Sequence, residues 1–150
     1  MCRALRFVVF GAVLAFATTA TADDKTSPTE TLKRYLGALK AGKPEDAYDY
    51  VSKAMRGGKS REIWSKEQSE IGSLAEVRIF GFEVGEAKIE GDTAKVPNIL
   101  RSQDKFINQM GLTEYEVYTL VKEDGAWKVD QQVLVEPPDM PKWFPKEKPK

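Results

Sequence analysis

Apolar residues recur at a period of three to four in the first half of the chain and at a period of two in the second, so a helical block precedes a sheet. Ser27-Pro28-Thr29-Glu30 has the signature of a helix start, with Ser27 as N-cap, Pro28 in the first turn and Glu30 placed to close a capping box. Leu32, Tyr35, Leu36 and Leu39 then share one face, and Gly42 ends the helix. Pro44-Glu45-Asp46 opens a second helix with Tyr48, Val51 and Met55 as its stripe and Gly57-Gly58 as its stop. A third runs from about Ser60 to Gly72, with Ile63, Trp64, Glu67 and Ile71 on one side.

From Leu74 the period changes. Val77, Ile79, Phe80, Phe82 and Val84 alternate as in a strand, and Ala87 and Ile89 continue out of step by one residue. A bend at Gly85 brings both sets onto one face. Glu90-Gly91-Asp92 turns the chain into a strand from Thr93 to Arg101, where Pro97 implies an edge or a bulge. The connection from Gln103 to Leu112 carries Phe106, Ile107 and Met110, which suit a lid or a plug better than a solvated loop. Tyr115 to Val133 then reads as a hairpin around Glu123-Asp124-Gly125. A three-residue loop pairs Val121 with Trp127 and Thr119 with Val129. It gathers Tyr115, Val117, Val121, Trp127, Val129 and Val133 inward and turns Glu116, Tyr118, Leu120, Asp130 and Gln132 outward. A two-residue loop mixes apolar and charged residues on both faces, so the segregated register is expected.

The two ends differ from the middle. Arg3 and Arg6, the apolar run Phe7 to Ala17 and Ala20-Thr21-Ala22 form a secretory signal peptide over residues 1–22, too short to span a membrane after cleavage. Residues 23–26 read as a flexible leader, 27–135 as one domain, and 136–150, with five prolines, as an extended tail. Removing residues 1–22 from a chain of 150 leaves 128, enough for one core. The balance of 23 basic and 23 acidic side chains then shifts only to −2, which steers towards neither nucleic acid nor an anionic membrane. The one cysteine, Cys2, lies in the leader and the chain has no histidine. Disulfides, thiol catalysis, Ser-His-Asp chemistry and His or Cys metal sites are thereby excluded from the mature protein. The acids Glu45, Asp46 and Asp49 are explained by a helix start, not by a metal. No cofactor is implied.

Gly42-Lys-Pro-Glu-Asp-Ala-Tyr48, Ile89-Glu-Gly-Asp-Thr-Ala-Lys-Val96 and Leu120-Val-Lys-Glu-Asp-Gly-Ala-Trp-Lys-Val129, in this order after a first helix, resemble the nuclear transport factor 2-like superfamily, over roughly residues 27–135. The resemblance implies a cystatin-like α+β cone, with three N-terminal helices packed on a strongly curved antiparallel sheet of about four strands. It further implies a cavity between helices and sheet, used by some members for isomerisation, cyclisation or dehydration and by others only for binding. It is similar to small exported members without assigned activity.

The expected pocket wall is Tyr35, Trp64, Phe106, Tyr115 and Trp127, which would otherwise be ordinary core aromatics. The isomerase-like chemistry needs a pocket carboxylate and a tyrosine. In the expected register Glu116 and Asp130 face away, and only Glu83, Glu86 and Asp104 keep an open facing, so no catalytic residue is assigned. Tyr118 and Asp130 on the outer sheet face, with Trp143 and Phe144 in the tail, form the expected interaction surface. The sequence thus leads to an exported, cofactor-free binding or accessory module, periplasmic or secreted, whose partner is a small apolar ligand, another protein or a second copy meeting it through the sheet face. The alternatives are a general acid–base enzyme and a module acting through its tail.

Overall fold

The computed structural model describes residues 26–146. The signal peptide at 1–22 and all but the last residue of the expected leader lie outside them. Helix α1 (Pro28–Lys40) starts as its sequence requires, with the Ser27 hydroxyl accepting the Glu30 N–H at 3.2 Å. The Glu30 carboxylate turns to Arg34, 3.2 Å away, instead of closing a capping box. Its inner face buries Leu32, Tyr35 and Leu36.

The expected second helix is broken into three pieces. Pro44–Ala47 is α2, Tyr48–Tyr50 a 3-10 turn and Lys53–Arg56 a separate α3. Val51 is extended, with φ −102° and ψ 149°, because Ser52 caps α3 through the Met55 N–H at 3.0 Å. Val51 instead bridges Val129 in parallel, and Ser52 N–H donates to the Val129 carbonyl at 2.8 Å. Helix α4 (Arg61–Leu74) is capped by Ser60 and ends in a left-handed Glu76, φ 52°. There the Val77 N–H reaches the Gly72 carbonyl and the Glu76 N–H the Ser73 carbonyl, the pattern that most often carries glycine. Of α4 only Trp64 and Ser65 are buried.

The sheet has five antiparallel strands, one more than expected: β1 (Arg78–Val84), β2 (Lys88–Glu90), β3 (Thr93–Gln103), β4 (Thr113–Glu123) and β5 (Ala126–Leu134). Strands β1 and β2 are two halves of one bent strand along β3, meeting at Gly85 as expected. A Cβ there would stand 2.9 Å from the Pro97 ring, so only glycine permits the approach. Pro97 therefore lies in an interior strand and not at an edge, its missing N–H tolerated opposite the break between β1 and β2. Phe80 is a bulge residue on edge strand β1, since Ile79 pairs Ser102 and Gly81 pairs Arg101.

The β4–β5 register corrects the sequence expectation. Asp124 (φ 50°) and Gly125 (φ 82°) form a two-residue turn, so Glu123 pairs Ala126, Lys122 pairs Trp127 and Leu120 pairs Val129. Asp130 is then an unpaired bulge, after which Thr119 meets Gln131 and Tyr118 meets Gln132. Segregation of polar from apolar residues was the wrong criterion because both faces carry buried residues. Tyr118, Leu120 and Val129 join the core with α1, while Val117, on the other face, is equally buried outside that cluster. The tail accounts for this second face. It is not extended: Pro137–Asp139 and Met140–Trp143 (α5) are helical turns, Met140 and Phe144 are buried, and the Phe144 ring sits edge-on to Tyr115 with centroids 5.0 Å apart.

Two substitutions test this packing. Phe144→Ala is expected to cost about 3 kcal/mol in urea unfolding, as for a core aromatic, where an undocked tail would give almost nothing. Ser52→Ala, which removes the cap and the partner of the Asp130 bulge, is expected to cost about 1–3 kcal/mol.

Candidate functional site

Reversing the expected register places a polar cluster on the inner side of the sheet. Glu116, only 1 % exposed, stands beside Asn98 of β3 and Gln132 of β5, which flank it across the strands. The Asn98 amide donates to Glu116 Oε2 at 2.9 Å and the Gln132 amide to Oε1. Tyr35 of α1 meets Tyr118 edge to face at 6.3 Å. Burial pushes the Glu116 pKa above the usual carboxylate range, and its two amide donors oppose the shift. Burial, then the nearby carboxylate, raises Tyr118, and Tyr35 is pushed up to about 12. The Asn98 carbonyl oxygen is buried without a partner.

Glu116 and Tyr118 are thus the functional-type residues that the sequence reading turned outward. A carboxylate and tyrosines do come together inside the cone, as acid–base chemistry requires. They are closely packed and buried, however, and Glu116 lines none of the three grooves of about 500, 540 and 860 Å³. Asp130, expected on an outer interaction face, gives its carboxylate to Ser52 at 2.6 Å because the bulge directs it towards α3. Phe144 is sequestered on the protein's own sheet, and Trp143 is half-buried with the Lys88 ammonium 4.3 Å above its ring.

The five aromatics expected to line one pocket do not converge. Tyr35 and Trp64 are core residues, Trp64 lying edge-on to Tyr48. Tyr115 is on the outer face under Phe144. Trp127 borders a polar groove of about 500 Å³ with Arg34, Asp49 and Tyr50. Phe106 borders another of about 540 Å³ with Glu76, Arg78 and Lys105.

The largest groove of the three, about 860 Å³, lies between the end of α1, α4 and the start of β1. Its wall includes Leu39, Pro44, Ile71, Val77 and Ile79, and Glu76 and Arg78 are shared with the Phe106 groove. Beside it the loop after β3 is neither plug nor closed lid. Asp104 accepts the backbone N–H groups of Phe106 and Ile107 at 2.7 Å and of Asn108 at 3.0 Å, which holds its pKa down. The Asn108 side chain bonds the backbone of Ser102 and Leu112. This bracing presents Ile107 and Met110 outward, each more than four-fifths exposed, in a fixed loop. Among the described residues no group of three or more His, Cys, Asp or Glu is placed to hold a metal ion, and no helix is long and apolar enough to cross a membrane.

No family model matches the chain, and no curated protein does. Solved structures do. A domain of unknown function with a cystatin-like fold from Nostoc punctiforme aligns with a TM-score of 0.55 at 13 % identity, over 77 % of this chain and 78 % of that one. A SEC-C-motif-containing protein from Rhodopseudomonas palustris aligns at 0.55 and 12 %, over 74 % and 83 %. A protein from Shewanella frigidimarina named as a candidate ketosteroid isomerase aligns at 0.50 and 19 %, over 73 % and 95 %. At these identities the likeness is one of fold, and the fold is the cystatin-like α+β architecture that the sequence led us to expect.

The buried carboxylate has a pH signature. A carboxylate whose pKa is raised on folding contributes stability that is fully present below its unfolded pKa and lost as pH rises through the folded value. Melts of the parent and of Glu116→Gln at about pH 4 and about pH 8 are expected to show the parent losing ground to the variant at the higher pH. An unchanged gap would mean that Glu116 is solvated.

Proposed function

We propose that this chain is an exported, non-catalytic binding or accessory module, and that its ligand occupies the groove between α1, α4 and β1. The observation that carries the reading is where apolar surface lies open. The cone interior is filled by its own Tyr35, Trp64, Tyr118 and Leu120, whereas the groove of about 860 Å³ keeps Ile71 and Val77 exposed on its wall. Its volume falls in the range of small-molecule sites, and exposed apolar surface concentrated in one place marks binding. The braced loop bearing Ile107 and Met110 adds apolar surface that needs no further ordering on contact.

A second reading is favoured by one observation, the buried Glu116 with Tyr118 and Tyr35. A general acid–base enzyme of the isomerase type would use such a carboxylate and hydroxyl. Against it stands the 1 % exposure of Glu116, which leaves a substrate no contact without opening of the cone. The Shewanella protein's name is that protein's own, and its fold alone is shared.

The neutral dye Nile red, titrated into residues 23–150, separates the readings. Binding with a fluorescence rise is expected, weakened about fivefold or more by Ile71→Glu or Val77→Glu. Ile63→Glu, on exposed α4 surface outside the groove, is expected to leave it unchanged. Equal loss in all three variants, or turnover of an enone that vanishes in Glu116→Gln, would sink the binding reading.

A further inference from the structure

The groove's charges narrow the class of ligand, on the premise that the groove is the binding site. Among the described residues seven basic side chains are held in ion pairs. Lys40, in the last turn of α1, and Arg78, the first residue of β1, are not among them. Both are exposed, both line the groove, and neither has a hydrogen-bond or ionic partner among the described residues. The one carboxylate on the same wall, Glu76, is held by Lys105 at 3.4 Å, so it does not neutralise them. A chain whose formal charge is zero therefore gathers two unpaired cations around an apolar trough.

That combination is selective. An apolar molecule alone would leave both cations without a counter-ion. A polar anion alone would leave the wall of Leu39, Ile71, Val77 and Ile79 wet. A guanidinium presents paired donors that match a carboxylate, and an ammonium lining the same groove adds a point charge. We propose that the groove takes a small amphiphilic carboxylate, its head between Lys40 and Arg78 and its aliphatic body along Leu39, Ile71, Val77 and Ile79. Its head stays at the wet rim, where charge selects without a large desolvation cost.

The test displaces Nile red from residues 23–150 with decanoate and decyltrimethylammonium below their micelle concentrations and with decanol below its solubility limit. Decanoate is expected to displace the dye at about one-tenth the concentration of decanol, with the cation weaker still. Arg78→Gln and Lys40→Gln should each weaken decanoate about two- to fivefold and leave decanol unchanged. Lys33→Gln, an exposed α1 control outside the groove, should do neither. Octanoate, decanoate and dodecanoate should tighten by up to about fourfold per methylene. Raising salt from about 20 to about 500 mM should weaken decanoate alone. Decanol matching decanoate, or a double Lys40→Gln, Arg78→Gln variant that binds decanoate normally, would overturn the carboxylate assignment while leaving the groove a binding site. Dye that binds but yields to none of the three overturns the assignment too. Only absence of dye binding, or dye binding indifferent to Ile71→Glu and Val77→Glu, would remove the groove itself.

Discussion

With Asp124 and Gly125 both at positive φ, the chain reverses in two residues, and the pairing of β4 with β5 near the turn is then set. Continued unbroken, that pairing would place Asp130 opposite Thr119 and carry Gln132 away from Tyr118. The bulge at Asp130 corrects the phase by one residue. It is held by Ser52, whose hydroxyl donates to Asp130 and caps α3 while its N–H bonds Val129. One small polar residue therefore joins the broken helical segment to the last strand and fixes which side chains of that strand face the core. The place of Gln132 beside Tyr118 and Glu116, on the face that also carries Leu120 and Val129, follows from it.

The same register divides the sheet's burden. Its inner face packs on α1 and carries the Glu116 cluster, a polar island whose donors and acceptors are nearly matched. Its outer face has buried Val117 and half-buried Tyr115, which water would otherwise meet, and the tail supplies Phe144 there. With both faces occupied, the largest of the three grooves lies on the flank where α4 stands off the sheet. There Ile71 and Val77 stay exposed, and the left-handed Glu76 directs the chain from helix to β1.

Much of the fold is legible in the sequence because local chemistry dictates it. Ser27 caps the helix it was expected to cap, the third helix starts at about Ser60 as expected, and the out-of-step apolar sets around Gly85 meet at a real bend. The cystatin-like α+β fold follows from that order of elements. The hairpin register was not legible, because sorting residues by polarity assumes that one face is solvent and nothing in residues 115–133 says that Phe144 lies behind them. The regular spacing of Tyr48, Val51 and Met55 hides the break in the second helix, which is made by Ser52 capping Lys53–Arg56. The groove was illegible for another reason: Leu39, Ile71 and Ile79 come from three elements and share no periodicity. Aromatics at core spacing drew attention to a pocket, but the structure disperses them among core, outer face and groove rims.

The account turns on the inward orientation of Glu116 and Tyr118, and cross-strand backbone NOEs in the isotopically labelled protein report it most directly. Contacts between Leu120 and Val129, Lys122 and Trp127, and Tyr118 and Gln132 are predicted. Contacts between Val121 and Trp127, Thr119 and Val129, and Val117 and Gln131 would instead turn Glu116 outward and contradict the account.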